Sequence, residues 1–261
     1  MSERFIATKQ HRRFVEFADT IKRNATIGLC YGPAGVGKTL SARRYSRWDG
    51  ADEVFNDPYQ HVFDNPDVNA ALHRSRSVFY TPTVSDTPKN VAADIRQLLN
   101  NADTAIEEHA RRKEPKPLII TGPHPRQVKL IVIDEAERLN PTALEHIRDR
   151  YDREHIGVIL IGMPGIERRF SGFAHHYTAL TGDELHFILT RHWRKFGADL
   201  DIDDFTDTQA IATIARLTGG NFRLIQRLFA QIARVLTIND LSVITADVVE
   251  AASSTLVLGA T

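Results

Sequence analysis

The stretch "LCYGPAGVGKTLSARRY", residues 29–45, decides the reading of this chain. Within it, "GPAGVGKT" matches the Walker A pattern G-x-x-x-x-G-K-[ST], with Gly32, Gly37, Lys38 and Thr39 in the fixed positions. Glycines at this spacing let backbone N–H groups turn inward toward phosphate oxygens, at the start of a helix whose positive end faces them. The candidate cradle runs through Gly32, Pro33, Ala34, Gly35, Val36, Gly37, Lys38, Thr39 and Leu40. Lys38 is placed to reach the β- and γ-phosphates of a nucleotide, and the Thr39 hydroxyl to bind Mg²⁺. The context agrees: "ATIGLCY" (25–31) reads as a buried strand feeding the loop, and "KTLSARRYSRW" as the helix that leaves it.

A second apolar strand, in "VKLIVIDEAERL", ends at Asp134, where a carboxylate can hold Mg²⁺ through water. Glu135 follows at once and is a candidate to polarise a water for attack on the γ-phosphate. This pair favours hydrolysis over transfer to a small acceptor. "SVFYTPTV" (77–84) and "IGVILIGMPG" (156–165) read as further strands, and "LII" (118–120) as a short one. Helical spacing is clear from Thr8 to about Asn24 and over 87–112. Asn140-Pro141 has the chemistry of a helix start, Asn accepting a free N–H and Pro filling the first turn. Residues 49–76 are weakly patterned, and "NDPYQ" and "DNPD" there read as turns. Strands alternating with helices predict a parallel sheet covered on both faces. From about Asp199 onward the pattern is helical only, and three helices are expected. On the first turn of the second of them, in "TGGNFRLIQRL", Arg223 is placed to reach back to the γ-phosphate and couple nucleotide state to the helical part.

The composition, about 42% hydrophobic and 25% charged over 261 residues, is that of an ordinary globular chain. The amino terminus carries charges where a signal peptide needs an apolar run, and no stretch has the roughly 18 consecutive apolar residues of a membrane span. A cytoplasmic protein without a membrane partner is expected. The single cysteine, Cys30, excludes intrachain disulfides and cysteine metal clusters and reads as a small buried thiol. The eleven histidines show no metal-ligand spacing. The zero net charge conceals asymmetry. Residues 1–50 hold ten Lys/Arg against four Asp/Glu, 51–110 the reverse, and 111–133 six Lys/Arg against Glu114 alone.

Together, "GPAGVGKT", "LIVIDEA" and "GGNFR" resemble the AAA+ ATPases. The longer phrases "IGLCYGPAGVGKTLSARRY", "VIDEAERL", "IRDRYD" and "LIGMPGIERRF" resemble the transposition ATPases of the TniB, TnsC and phage Mu B type, over most of the chain. The resemblance implies an α/β P-loop fold with a five-stranded parallel sheet and a small C-terminal helical lid. The corresponding domains are 1–198, nucleotide-binding with an N-terminal helix, and 199–261, the lid. It also implies ATP and Mg²⁺ as cofactors, ATP-dependent assembly on double-stranded DNA as a ring or filament, and a transposase partner of the Asp-Asp-Glu class.

Two positions depart from the family pattern. The fourth strand usually ends in a polar sensor, but "LIGMPG" offers Met163 after Gly162. Relatives carry a Ser-Arg-Ile phrase before a Gly-Phe, and that arginine reaches a neighbouring subunit's nucleotide; here "ERRFSGF" leaves Arg168 or Arg169 as substitutes. For DNA the candidates are Arg111, Arg112, Lys113, Lys116, Arg126 and Lys129, whose phosphate contacts would be salt-dependent and blind to sequence. The expected function is an ATP-dependent, DNA-binding regulator of transposition that recruits the transposase, with hydrolysis releasing it. A helicase-loader-type ATPase and a non-hydrolysing nucleotide-gated scaffold are the alternatives.

Overall fold

The computed structural model describes residues 5–57, 64–114, 126–169, 173–197 and 199–254. Helix α1 (Lys9–Asn24) buries Phe14, Ala18 and Ile21, the stripe that its spacing predicts. Strand β1 (Ile27–Tyr31) then feeds the glycine-rich loop, and helix α2 (Lys38–Ser46) leaves it. Helices α3 (Asp49–Asn56) and α4 (Pro66–Ser75) fill most of the weakly patterned stretch 49–76. The "DNPD" signal is the start of α4: Pro66 sits in its first turn, where a missing N–H costs nothing.

Strand β2 (Ser77–Tyr80) is followed by α5 (Pro88–Lys113), capped by the Thr87 hydroxyl, which accepts from the Asn90 N–H. Strand β3 (Leu130–Ile133) delivers Asp134. Helix α6 (Pro141–Glu154) is capped as expected, Asn140 accepting from the Ala143 N–H. Strand β4 (Gly157–Gly162) and a short β5 (Phe173–His176) complete one five-stranded parallel sheet, ordered β2-β3-β4-β1-β5. The apolar runs of β2, β3 and β4 are buried at every position, as a parallel sheet covered on both faces requires. Each such Ile, Leu or Val contributes about 1.5–3 kcal/mol. Leu118–Ile120, read as a strand, lie outside the described residues.

Contacts divide the chain into two compact units, of which the first holds Gln10–Gly32 and Lys38–Tyr177, and so the sheet. The second is helical and takes in the chain from Thr178 onward, with α7 (Gly182–Lys195) in its core. Ile188, Leu189 and Trp193 of α7 pack with residues of α8 (Phe205–Thr218), α9 (Phe222–Asn239) and α10 (Ala246–Ser253). The five loop residues Pro33–Gly37 group with this helical unit.

Candidate nucleotide site

Within the sheet-bearing unit, Gly32, Lys38 and Thr39 of the first motif meet Asp134 of the second. Tyr31 at the end of β1 pairs with Gly162 of β4, and Ile133 at the end of β3 pairs with Leu160, so the strands bring Gly32 and Asp134 to one end of the sheet. Thr39, on the first turn of α2, donates its hydroxyl hydrogen to Asp134 Oδ2 at 2.7 Å. Asp134 is 5% exposed; its other oxygen accepts the Glu135 N–H at 3.0 Å, and its own N–H is held by the Tyr80 carbonyl at 2.8 Å. Burial raises the Asp134 pKa against the opposing pull of the Thr39 hydrogen bond. A hydroxyl and a carboxylate this close are the hard-oxygen donors a small divalent cation takes alongside phosphate and water. Among the described residues no group of three or more His, Cys, Asp or Glu is arranged to hold a metal by itself. The residues therefore fit a phosphate-borne Mg²⁺.

Lys38 is buried, and its ammonium donates to the Gly32 carbonyl at 2.6 Å, bridging the base of the loop. Burial lowers its pKa; Cys30 and Asp134 are the leading opposing influences. Beneath it, Cys30 is fully buried, and burial pushes its thiol up to about 12. It is the inert packing group that its sequence context predicts.

Glu135 adopts the left-handed region (φ 51°, ψ 41°), a strained conformation for a residue with a side chain. Its half-exposed carboxylate lies 3.7 Å from the Arg138 guanidinium. Arg138 in turn donates to the Pro82 carbonyl at 2.9 Å. A rotatable carboxylate on a fixed backbone beside Asp134 is a suitable place for a general base.

Within the helical unit, the start of α9 is bonded to the loop. Asn221 caps the helix, its Oδ1 accepting from the Arg223 and Leu224 N–H groups, and its amide donates to the Ala34 carbonyl at 2.7 Å. The Arg223 N–H also reaches the Gly35 carbonyl at 3.1 Å. Gly35 (φ +78°) is required here, since a Cβ would meet Asn221 Oδ1 at 2.5 Å. Arg223 thus stands beside the loop with its guanidinium exposed. Sequence reasoning picks out Arg223 and misses Asn221, whose signal is its place one residue before the helix.

The remaining candidates separate. Arg169 donates to the Leu139 carbonyl at 2.8 Å and the Glu137 carbonyl at 3.4 Å, whereas Arg168 is exposed and has no side-chain partner among the described residues. Met163, 40% exposed, follows the last residue of β4 and offers no polar group there. Of the basic candidates, Arg126 is held by Asp103 at 2.5 Å and Glu154 at 2.9 Å, and the Lys129 ammonium bonds the Arg126 carbonyl. Arg112 and Arg111 both pair with Glu108 and, through those hydrogen bonds, keep its carboxyl below the usual range. Lys113 is exposed beside them. Lys116 and residues 170–172 of "ERRFSGF" lie outside the described residues.

A family model described as AAA domain matches residues 21–170. The chain belongs to this AAA family. It is 36% identical, over 275 aligned positions covering 99% of this chain and 98% of the relative, to a Staphylococcus aureus protein named "Potential ATP-binding protein". Among solved structures it is similar to Thermotoga maritima RuvB, described as a Holliday junction branch migration motor, with TM-score 0.54, 18% identity, and 95% of this chain and 69% of that one covered. It is also similar to a chain of Drosophila ORC bound to DNA, with TM-score 0.54, 15% identity, and coverages of 94% and 59%. Likeness at those identities speaks for the fold. The AAA chain described here is accordingly an α/β, AAA-type ATPase fold of the ATP-binding kind. No helix among the described residues is long and apolar enough to cross a membrane.

Proposed function

We propose that this AAA chain binds ATP with Mg²⁺ and hydrolyses it slowly, as an assembly switch on double-stranded DNA that regulates transposition. The observation that carries the nucleotide part is the 2.7 Å bond between Thr39 and Asp134, which joins two motifs 95 residues apart. In this reading Lys38 leaves the Gly32 carbonyl for the β- and γ-phosphates. Thr39 and Asp134 orient the cation, whose charge offsets that of the phosphates, and Glu135 takes a proton from the attacking water. Arg223, beside Gly35, contacts the γ-phosphate and reports its loss through Asn221 to α9. Arg168, exposed and without a side-chain partner among the described residues, is assigned to the nucleotide of a neighbouring copy; Arg169, bonded to two carbonyls, is assigned to holding the loop after β3.

The DNA and transposition part rests on the phrases "IRDRYD" and "LIGMPGIERRF" and their resemblance to transposition ATPases. The fold neighbours described as a branch migration motor and as bound to DNA lend it support. DNA contact through Arg111, Arg112 and Lys113 remains the proposed route. It requires the exposed guanidiniums to leave the buried Glu108 carboxylate for phosphate, a cost that the DNA contacts must offset.

Light scattering and ATP turnover, with and without duplex DNA and purified transposase, test the reading on the parent chain and on Lys38→Ala. Large ATP- and DNA-dependent assemblies that recruit transposase and vanish in the variant support it. A monomer indifferent to both ligands overturns the switch. Assemblies that form without turnover leave the scaffold reading, and recruitment of a helicase in place of a transposase leaves the loader reading.

A further inference from the structure

Glu137 lies two residues beyond Glu135 and has no part in the site as built so far. Its short 3-10 turn, Ala136–Arg138, is pinned by Arg169 at the Glu137 and Leu139 carbonyls. Its side chain points to the end of β4. A Cβ placed on Gly162 would lie 2.8 Å from Glu137 Oε2 and 2.6 Å from Ile166 Cδ1, so the glycine makes the room that the carboxylate uses. That oxygen is buried and has no hydrogen-bond partner among the described residues. A buried acceptor left without a donor costs about 1–3 kcal/mol and calls for an explanation.

Position supplies one. In the order β3-β4-β1, Gly162 pairs with Tyr31, the residue before Gly32 of the loop, and Leu160 pairs with Ile133, the residue before Asp134. The carboxyl end of β4 therefore lies between the two nucleotide motifs, where open parallel sheets place their ligands. Lys38 is within electrostatic reach: the Glu137 carboxylate, with Cys30 and Asp134 ahead of it, offsets the burial that lowers the Lys38 pKa.

We propose that Glu137 supplies the polar group that β4 lacks, its free oxygen accepting a hydrogen bond from the water that attacks the γ-phosphate. This rests on the hydrolysis reading above. The water oxygen forms the new bond to the γ-phosphorus while the bond from that phosphorus to the bridging oxygen breaks and leaves ADP. One water proton goes to Glu135, and Glu137 holds the other and so fixes the direction of attack. Glu137 is thus an orienting acceptor and Glu135 the base.

The roles separate by amide substitution. ATP turnover, KM, affinity for a fluorescent ATP analogue and the thermal midpoint are measured for the parent chain, Glu137→Ala, Glu137→Gln and Glu135→Gln. Loss of the acceptor in Glu137→Ala lowers kcat about tenfold or more, with KM, affinity and thermal midpoint little changed. Glu137→Gln, which keeps a carbonyl oxygen of the same shape, retains turnover within about threefold, whereas Glu135→Gln loses it. Parent-like turnover in Glu137→Ala overturns the proposal. So does a loss of affinity or midpoint that accounts for the whole effect, or equal damage from alanine and glutamine. A parent chain that binds ATP without turning it over overturns the hydrolysis reading, and this assignment with it.

Discussion

Thr39 and Asp134 show how a single hydrogen bond can serve both fold and site. The Asp134 carboxylate is buried, and Thr39 is its side-chain donor. Thr39→Val keeps the side-chain shape and removes the donor, leaving a charged oxygen unsatisfied. Thermal unfolding should show a loss of about 1–3 kcal/mol. Titration with Mg²⁺ and a fluorescent ATP analogue should show the cation dependence of binding weakened about tenfold or more, since a cation ligand goes as well. Thr39→Ser should restore both. Retained Mg²⁺ dependence in the valine variant would remove Thr39 from the site.

At the scale of elements, the junction of α9 with the loop and the core of α7 each carry a test. Asn221→Ser keeps a capping oxygen for α9 but cannot reach the Ala34 carbonyl. The expected result is a thermal midpoint close to the parent's with ATP affinity changed several-fold; unchanged affinity would mean that the link is structural only. On α7, His192 is buried, stacks on Phe229 at 4.2 Å, and has its pKa lowered to about 4, by burial first and then by Lys195 and Arg191. The unfolded chain protonates this imidazole near pH 6.5 and the folded chain only near 4. Stability from this residue is therefore full above pH 6.5 and falls as pH drops toward 4, by up to about 3 kcal/mol. His192→Phe should flatten that slope in acid titrations followed by circular dichroism; an unaltered slope would place the acid sensitivity elsewhere. What the sequence discloses divides along the same lines. The loop with its flanking elements, the strand ending at Asp134 and the Asn140 cap are legible because each is written in adjacent residues. Strand β5, "FAHH", lacks an apolar run, and what makes it a strand is pairing with β1, which only the folded chain supplies. In "DNPD" one dipeptide serves equally as a turn and as the start of α4. Helix α7 does carry helical spacing at Leu185, Ile188, Leu189 and Trp193, so this element too is written in nearby residues. Arg168 and Arg169 are indistinguishable as letters and are separated only by what their guanidiniums touch.

At the scale of the whole molecule those two arginines predict opposite phenotypes. Arg168→Ala should leave monomer stability and ATP affinity as in the parent while abolishing turnover that rises with protein concentration or DNA, measured by phosphate release. Arg169→Ala frees two carbonyls and the turn that carries Glu137, and should lower the thermal midpoint by the equivalent of about 1–2 kcal/mol. Identical behaviour of the two variants would refute the division of labour. The sheet also contains its own clock. Cys30, the only thiol in the sequence, stands on β1 between Ile161 of β4 and His175 of β5 and is fully buried, so an alkylating reagent reaches it only when the packing of the sheet over β1 opens. Its modification rate at neutral pH then reads the opening of the sheet in the unaltered chain, with no introduced label. A nucleotide that binds the closed form alone should slow that rate by a factor of about 1 + [ATP]/Kd, roughly a hundredfold at a hundred times Kd, so ATP affinity can be timed from the disappearance of one sulfhydryl.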